Sequence, residues 1–182
     1  KNGVGKSTRL DAFGFLADCL KLGVEEACDA RGRGGFSKIL SQGQSGPIEF
    51  EVYYKEDGNA RPITYELSID LDNSERPYVL KERLRQRRKG QKHGWPFSFL
   101  ILNNGKGVVW KGEQEGRQID ESKGDFDLSG LMDSLKTGEG KEESKETEVV
   151  ELEDLRKLGI ATLGSLKQHA RISAFRRFIE RW

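Results

Sequence analysis

The first eight residues, K-N-G-V-G-K-S-T, have the composition and spacing of a loop that binds phosphate. They match the later part of the pattern G-x-x-x-x-G-K-[ST], whose first glycine would fall one position before Lys1. Glycines let the backbone curl so that successive N–H groups point inward at an anion, and the dipole of the following helix adds positive potential. In this pattern Lys6 reaches the β- and γ-phosphates, and Ser7 places its hydroxyl on Mg²⁺.

The loop therefore predicts a nucleoside triphosphatase with ATP and Mg²⁺ as cofactors and Ser7 as a metal ligand. GTP is disfavoured because the chain lacks the Asn-Lys-x-Asp string that reads guanine, and residues 103–106 come nearest without the aspartate. Arg9 follows the loop and is expected to point to solvent. The predicted nucleotide-binding residues are Asn2, Gly3, Gly5, Lys6, Ser7 and Thr8.

A helix is expected directly after this loop, as the phosphate-binding pattern requires. Leu10, Phe13, Leu16 and Leu20 recur at helical spacing, with further apolar residues between them. This spacing predicts a helix over residues 8–22 with its amino end at the phosphates.

Composition limits the class of protein. The 182 residues suffice for one domain, and equal shares of apolar (35%) and charged (34%) residues predict that part of the chain is solvated insertion. The net charge of +1 argues against a uniformly basic nucleic-acid binder. Two cysteines and two histidines far apart make no metal template, and Cys19 is expected in the core. With no signal peptide or membrane-spanning run, a cytoplasmic setting is expected.

Period-2 patterning over residues 48–111 predicts an antiparallel sheet with one solvated face. Two long alternating runs are followed by a third strand near Tyr78 and by a pair of shorter strands joined at Asn104-Gly105. The predicted strand regions are 48–54, 63–71, 78–84, 97–102 and 108–111.

The rest of the chain divides by composition. Residues 1–22 hold the loop and its helix, and residues 23–47 form a glycine-rich connection. Residues 112–148 lose periodicity and predict a solvated insertion, with a short helical turn near 128–135. Residues 149–182 are expected to be helical, with helical spacing at 150–158, 163–169 and 172–182.

The finer spelling of the loop, with Leu-Asp-Ala after it, resembles the ABC-like ATPase heads of the RecF and SMC families. The closer resemblance is to prokaryotic AAA-family ATPases of the RecF-like type, which share a downstream Arg-Gly-Gly-Phe, an Ile-x-Phe-x-Val-x-Tyr strand and a closing helix like residues 171–182. It covers most of the chain outside 112–148. The resemblance implies an α/β fold, here the first lobe of a P-loop head with a loop helix, an antiparallel meander and C-terminal helices.

The same resemblance shows which hydrolytic parts the chain lacks. Hydrolysis in this superfamily needs an apolar strand ending in Asp-Glu, whereas the strand at 97–102 is followed by two asparagines. The family's Leu-Ser-Gly-Gly-Gln-like loop is also absent. A partial, truncated head that is inactive alone is therefore expected. A glutamine at a lobe junction touches Mg²⁺ in such heads, and Gln42 or Gln44 could fill that place, although a plain surface loop is the simpler interpretation.

The densest basic run lies at residues 81–93 and could follow a phosphate backbone. The alternative is a strand edge that its charges guard against aggregation. Arg31 and Arg33 could also face phosphate or DNA, or lie in a mobile loop. The candidate nucleic-acid contacts are Arg83, Arg85, Arg87, Arg88 and Lys89.

Two functions remain open from the sequence. One is an ATP-driven head in which nucleotide held between two copies couples dimerisation to work on DNA or on a partner protein, as the resemblance implies. The other is a non-catalytic module that binds nucleic acid or protein and retains a vestigial loop. A small-molecule kinase is disfavoured because an antiparallel sheet, and not further parallel βαβ units, follows the first helix.

Overall fold

The structure, a computed structural model, describes residues 6–40, 45–55, 61–87, 93, 96–111, 127–137 and 147–182, with the backbone alone for residues 6–10. Among the helices of these ranges, none is long and apolar enough to cross a membrane. The helices are α1 (Lys6–Leu22), α2 (Val24–Asp29), α3 (Phe36–Ile39), α4 (Leu128–Thr137), α5 (Gly159–Leu163) and α6 (Ala170–Ile179). The strands are β1 (Ile48–Tyr54), β2 (Ile63–Leu71), β3 (Pro77–Gln86), β4 (Phe97–Asn103), β5 (Lys106–Trp110) and β6 (Thr147–Glu151).

The first of two compact units comprises Lys1–Ile48, Ser68–Val79 and Asp154–Trp182. Its centre is α1, which packs against α2, α5 and α6. The predicted helix at 8–22 is confirmed, and it begins two residues earlier, at Lys6. Cys19 lies in the core as expected, 1% exposed.

Arg156 ties three distant segments of this unit together. Its guanidinium donates to Glu25 at 2.7 Å and to Asp72 at 3.0 Å, while its carbonyl oxygen accepts the Val24 amide at 2.7 Å. Gly23 lies so close that a Cβ there would be 3.0 Å from the same carbonyl oxygen. The turn between α1 and α2 is therefore fixed by residues from the other end of the chain.

The glycine-rich connection predicted at 23–47 contains helices. In α2, Val24, Ala27 and Cys28 are buried at i, i+3 and i+4 spacing, and Phe36 in α3 is 7% exposed. Elements of four and six residues are too short for their periodicity to stand out from the surrounding glycines. Packing of α2 against α1, and of α3 against α2, supplies the stability that such short helices lack in isolation.

The second unit comprises Glu49–Leu67 and Leu80–Glu153. The six-stranded sheet has the order β1-β2-β3-β4-β5-β6, with β3 to β6 paired antiparallel, so the predicted meander is confirmed. Asn104 and Gly105 join β4 to β5 with φ values of 48° and 72°. Positive φ at both central residues is the geometry that an Asn-Gly hairpin turn adopts.

The expectation of one solvated sheet face is wrong for the central strands. Exposed and buried residues alternate along β1, but the six residues from Phe97 to Leu102 in β4 are all buried. Val108, Val109 and Trp110 in β5 are buried as well. Because all side chains of 97–102 except Ser98 are apolar, this strand has no polar set to turn towards water, as is typical of strands covered on both sides.

The helical expectations for the last third of the chain are only partly confirmed. Strand β6 replaces the helix expected at 150–158 and takes in the last two residues of the expected insertion, because β-branched Val149 and Val150 pair with β5. Helix α5 ends at Leu163, so the helix expected at 163–169 is also wrong. Helices α4 and α6 confirm the helical spacing near 128–135 and 172–182. The five-part division of the chain stays a prediction.

Gly107 offers a sharp test of the β4–β5 hairpin. It pairs with Leu102, and a Cβ at Gly107 would overlap the carbonyl oxygen of Ile101 and lie 3.0 Å from the Leu102 Cα. Gly107→Ala must therefore push the two backbones apart, and we expect a loss of about 3 kcal/mol in the free energy of unfolding, measured by urea denaturation. In the matched Gly32→Ala variant the new methyl meets nothing within 4 Å, so only its positive φ costs energy, about 1–2 kcal/mol. Equal losses in the two variants would contradict the close approach.

Candidate functional site

Helix α1 begins at the lysine of the phosphate-binding pattern. Its 17 residues open with Lys6, Ser7 and Thr8, and no acidic residue lies in the first turn. The unpaired amide groups of a helix amino end attract anions, and this first turn carries no negative charge to oppose them. The backbone of the described part of the loop thus has the helical start that phosphate binding requires.

Most of the predicted site residues lie outside the described part of the chain. The loop residues Asn2, Gly3 and Gly5 do, as do Gln42 and Gln44. Arg88 and Lys89 of the basic run do as well. Their roles stay predictions.

The carboxyl half of α1 carries an ion cluster that the sequence interpretation missed. Asp11, Phe15 and Asp18 lie at i, i+4 and i+7, so they share one face of the helix. The side chain of Arg33, 6% exposed, lies along this face. Its Nη1 donates to Asp18 at 2.7 Å, its Nε is 3.5 Å from an Asp11 oxygen, and its Cζ is 5.3 Å from the Phe15 ring centroid.

Arg31 binds the same carboxylate from the other side. Its Nη2 donates to one Asp18 oxygen at 2.9 Å and its Nε lies 2.8 Å from the other oxygen, which is a bidentate contact. The backbone of Arg31 has φ 55°, a left-handed conformation that costs a non-glycine residue energy. Gly14 leaves room for both guanidinium groups, since a Cβ there would lie 3.1 Å from Arg31 Nη1 and 3.7 Å from Arg33 Nη2.

These contacts overturn both sequence interpretations of Arg33 and show that Arg31 is paired with Asp18. Arg33 is neither in a mobile loop nor open to phosphate, because it is buried against α1 and also donates to the carbonyl oxygens of Ala27 and Ala30. Arg31 is paired, although 55% of its side-chain surface stays exposed. The signal that could have found this cluster is the Asp-x-x-x-Phe-x-x-Asp spacing of α1, read together with a nearby pair of arginines.

The ionised form of Asp18 is stabilised by its two arginine partners. Burial by itself would raise the pKa of this carboxyl, but hydrogen bonds from Arg33 and Arg31 outweigh it and lower the pKa below the ordinary value of 3.8. Asp18 is therefore ionised at neutral pH while its residue is only 8% exposed. A buried carboxylate of this kind is stable only while its cations remain in place.

Two arginines of the basic run on β3 share one carboxylate on the neighbouring strand. Glu66 on β2 forms ion pairs with Arg85 and, at 3.5 Å, with Arg83. The Arg83 Nε also donates to Ser98 at 2.9 Å. The two arginine side chains are 14% and 13% exposed, so little of their charge faces solvent. Their proposed contact with nucleic acid stays a prediction that this placement does not favour.

Neither cysteine is activated as a nucleophile. Burial raises the pKa of Cys28 to about 11 and that of Cys19 well above its ordinary value, so both thiols stay protonated at neutral pH. Strand β4 ends at Asn103, and the acidic end of β6 is a surface feature in which Glu151 pairs with Lys106 at 2.5 Å. In the same residues, no three His, Cys, Asp or Glu side chains are grouped to hold a metal ion.

Comparison with known families settles the class of this domain. Residues 1–182 match the model of the AAA_21 family, described as "AAA domain, putative AbiEii toxin, Type IV TA system". The chain belongs to this family of AAA domains. Family membership supports nucleotide binding of the ATPase type, with ATP and Mg²⁺ as the usual cofactors. No curated protein and no solved structure is significantly similar to this AAA domain.

The contribution of the ion cluster of Asp11, Asp18, Arg31 and Arg33 to the stability of the AAA domain can be tested by mutation. Asp18→Asn removes the charge but keeps the size, which leaves the buried Arg33 with only its longer, 3.5 Å contact to Asp11, and we expect the free energy of unfolding to fall by about 3 kcal/mol at pH 7. Because the folded-state pKa is depressed, this contribution is fully present above about pH 4 and is lost as the pH falls through the lowered value. Urea denaturation at pH 7, 4 and 3 should show the wild type and Asp18→Asn converging in acid.

The control for this prediction is Glu151→Gln, which breaks the ion pair between Glu151 and Lys106. These two side chains are 58% and 60% exposed. Water screens that pair, so we expect almost no change in stability. A difference between the wild type and Asp18→Asn that stays constant from pH 7 to pH 3 would show that packing, and not the charge, holds the cluster.

Proposed function

We propose that this AAA domain binds Mg-ATP at the loop formed by residues 1–8 and the start of α1. The observation that supports the proposal is that α1 begins at Lys6, which puts the amino end of a helix at the lysine of the pattern, as phosphate binding requires. In this arrangement Asn2, Gly3 and Gly5 shape the loop, Lys6 holds the β- and γ-phosphates, and Ser7 and Thr8 lie at the helix start.

The residues present fit the cofactors. A first turn with a lysine, two hydroxyl side chains and no carboxylate suits a polyphosphate, and a serine hydroxyl is a hard oxygen donor of the type that Mg²⁺ takes. Bound Mg²⁺ supplies charge neutralisation between the phosphates. The protein's own part is to orient the chain of phosphates through its amides and Lys6, and Gln42 or Gln44 are the candidates for a further metal contact.

Nucleotide-controlled association is the output that we propose, in the manner of the RecF and SMC heads. Among the described residues no buried strand ends in a glutamate that could polarise water, so these residues are assigned binding and not hydrolysis. Dimerisation around the nucleotide would couple ATP to DNA or to a partner protein. The rival, a non-catalytic module with a vestigial loop, requires no such response to ATP.

Lys6→Ala tests the nucleotide site. Losing the ammonium removes charge-assisted hydrogen bonds to the phosphates worth about 1.5–3 kcal/mol each, so we expect the affinity of the full-length protein for Mg-ATP to fall at least 10-fold in isothermal titration calorimetry. Arg9→Ala, three residues along the same helix, is the matched control and should bind Mg-ATP as the wild type does. Unchanged affinity in Lys6→Ala would refute the site.

Sedimentation of the full-length protein separates the head from the vestigial module. We expect the sedimentation coefficient to rise on addition of Mg-ATP for the wild type and for Arg9→Ala, and to stay at its starting value for Lys6→Ala. A wild type that binds Mg-ATP but sediments unchanged would retain the nucleotide site and exclude nucleotide-driven association.

A further inference from the structure

A cavity of about 510 Å³ lies in the first unit at the carboxyl end of α1. This volume is within the range of small-molecule sites. The cavity is separate from the phosphate loop, because a 17-residue helix is about 25 Å long and Lys21, in its last turn, is at the end opposite Lys6. Its lining includes Ala17, Leu20, Lys21, Arg31, Arg176 and Trp182.

One wall of the cavity is an aromatic ring ready for stacking. The Trp182 indole stacks on Phe13 with ring centroids 4.8 Å apart and an interplanar angle of 20°, and Phe178 supports Phe13 edge-on at 6.1 Å. Trp182 is nevertheless 50% exposed. A ring held flat on one side and open to solvent is a platform for a planar ligand.

The remaining lining is a mixture of apolar floor and cations. The two acidic residues of the lining already have arginine partners, since Asp18 binds Arg31 and Arg33 and Glu180 binds Arg176 at 2.9 Å. Lys21 is exposed on α1, and over half of the Arg31 side-chain surface faces solvent. Their positive charge suits an anion, as on surfaces that bind phosphate.

A second cavity of about 400 Å³ continues along α6 and shares Arg176 and Glu180 with the first. It is polar and is lined also by Lys167, Arg177 and Ser173. The pair of cavities therefore places cations on both sides of Arg176. A ligand with one base at Trp182 has room for a further phosphate beyond it.

We propose that this pair of cavities binds a nucleotide unit, an aromatic base stacked on Trp182 with its phosphate at Lys21 and Arg31. The unit is a free nucleotide or one nucleotide of a single strand, since both present a base and a phosphate. The site does not depend on the phosphate loop, whose ligand needs β- and γ-phosphates.

The test uses AMP and a fluorescein-labelled decathymidylate with the full-length protein, in calorimetry and fluorescence anisotropy. Because AMP lacks the phosphates that Lys6 would hold, we expect Lys6→Ala to bind at least one of these probes as tightly as the wild type. Trp182→Ala should weaken that probe about 10-fold or more, and Trp182→Phe, which keeps a stacking ring, should restore most of the affinity. Lys21→Ala should weaken it as well and flatten its dependence on salt.

Two controls separate the site from general effects. Tyr53→Ala removes an aromatic side chain of β1 that is 67% exposed, and Lys157→Ala removes a lysine that is 63% exposed; neither should change probe binding. Binding of AMP alone identifies a free nucleotide as the ligand, and binding of the decamer alone identifies a strand. Failure of both probes below 1 mM, or binding that Lys6→Ala abolishes while Trp182→Ala leaves it intact, overturns the proposal.

Discussion

The shape of the first unit depends on the carboxylate of Asp18. It accepts hydrogen bonds from Arg31 and Arg33, and Arg31 adopts a left-handed backbone conformation that costs a non-glycine residue energy. Arg33 extends along the face of α1 and covers Phe15. The loop between α2 and α3 is thus attached to the phosphate-loop helix by charge, since its glycines contribute no side chains of their own.

This attachment has a direct bearing on the nucleotide site. Burying ions is expensive and is often no more stabilising than apolar packing, so a cluster of this kind is better explained by the geometry that it imposes. The cluster and the buried residues Phe15, Leu16 and Cys19 fix the carboxyl half of α1, and the helix transmits that position to its amino end at Lys6. The phosphate loop therefore precedes a helix whose carboxyl half is fixed by contacts on several sides.

The sequence predicts elements well where one local signal decides them. The start of α1, the alternation of β1 and β2 and the Asn104-Gly105 turn all follow from spacing or from φ preferences within a few residues. The sequence does not predict an element whose structure is determined by contacts with residues far away in the chain. Val149 and Val150 belong to a strand only because β5 lies beside them, and nothing in residues 97–102 says what covers both faces of β4.

In the candidate site, too, local features can be predicted from the sequence and contacts between distant residues cannot. The phosphate-binding pattern is a contiguous string and is legible at once, whereas the pairing of Arg33 with Asp18 joins residues 15 positions apart on different elements. The ion pairs of Arg83 and Arg85 likewise depend on Glu66, which lies on another strand. A run of basic residues in a sequence therefore gives the number of cations, but it does not show which carboxylates will form ion pairs with them.

The contacts of Arg156 also set an order of events on the ribosome. Its ion pair with Glu25 spans 131 positions, while the successive strands β3 to β5 pair with near neighbours along the chain. The β4–β5 hairpin can pair as it emerges, because its two-residue turn costs little entropy to close. Helix α1 is synthesised before Arg156 and α6, so the residues that surround it in the folded unit are complete only after those later segments have emerged. A nascent chain therefore exposes the face of α1 that packs on α5 and α6 until residues 156–179 have been made, and chaperones can bind it in that interval.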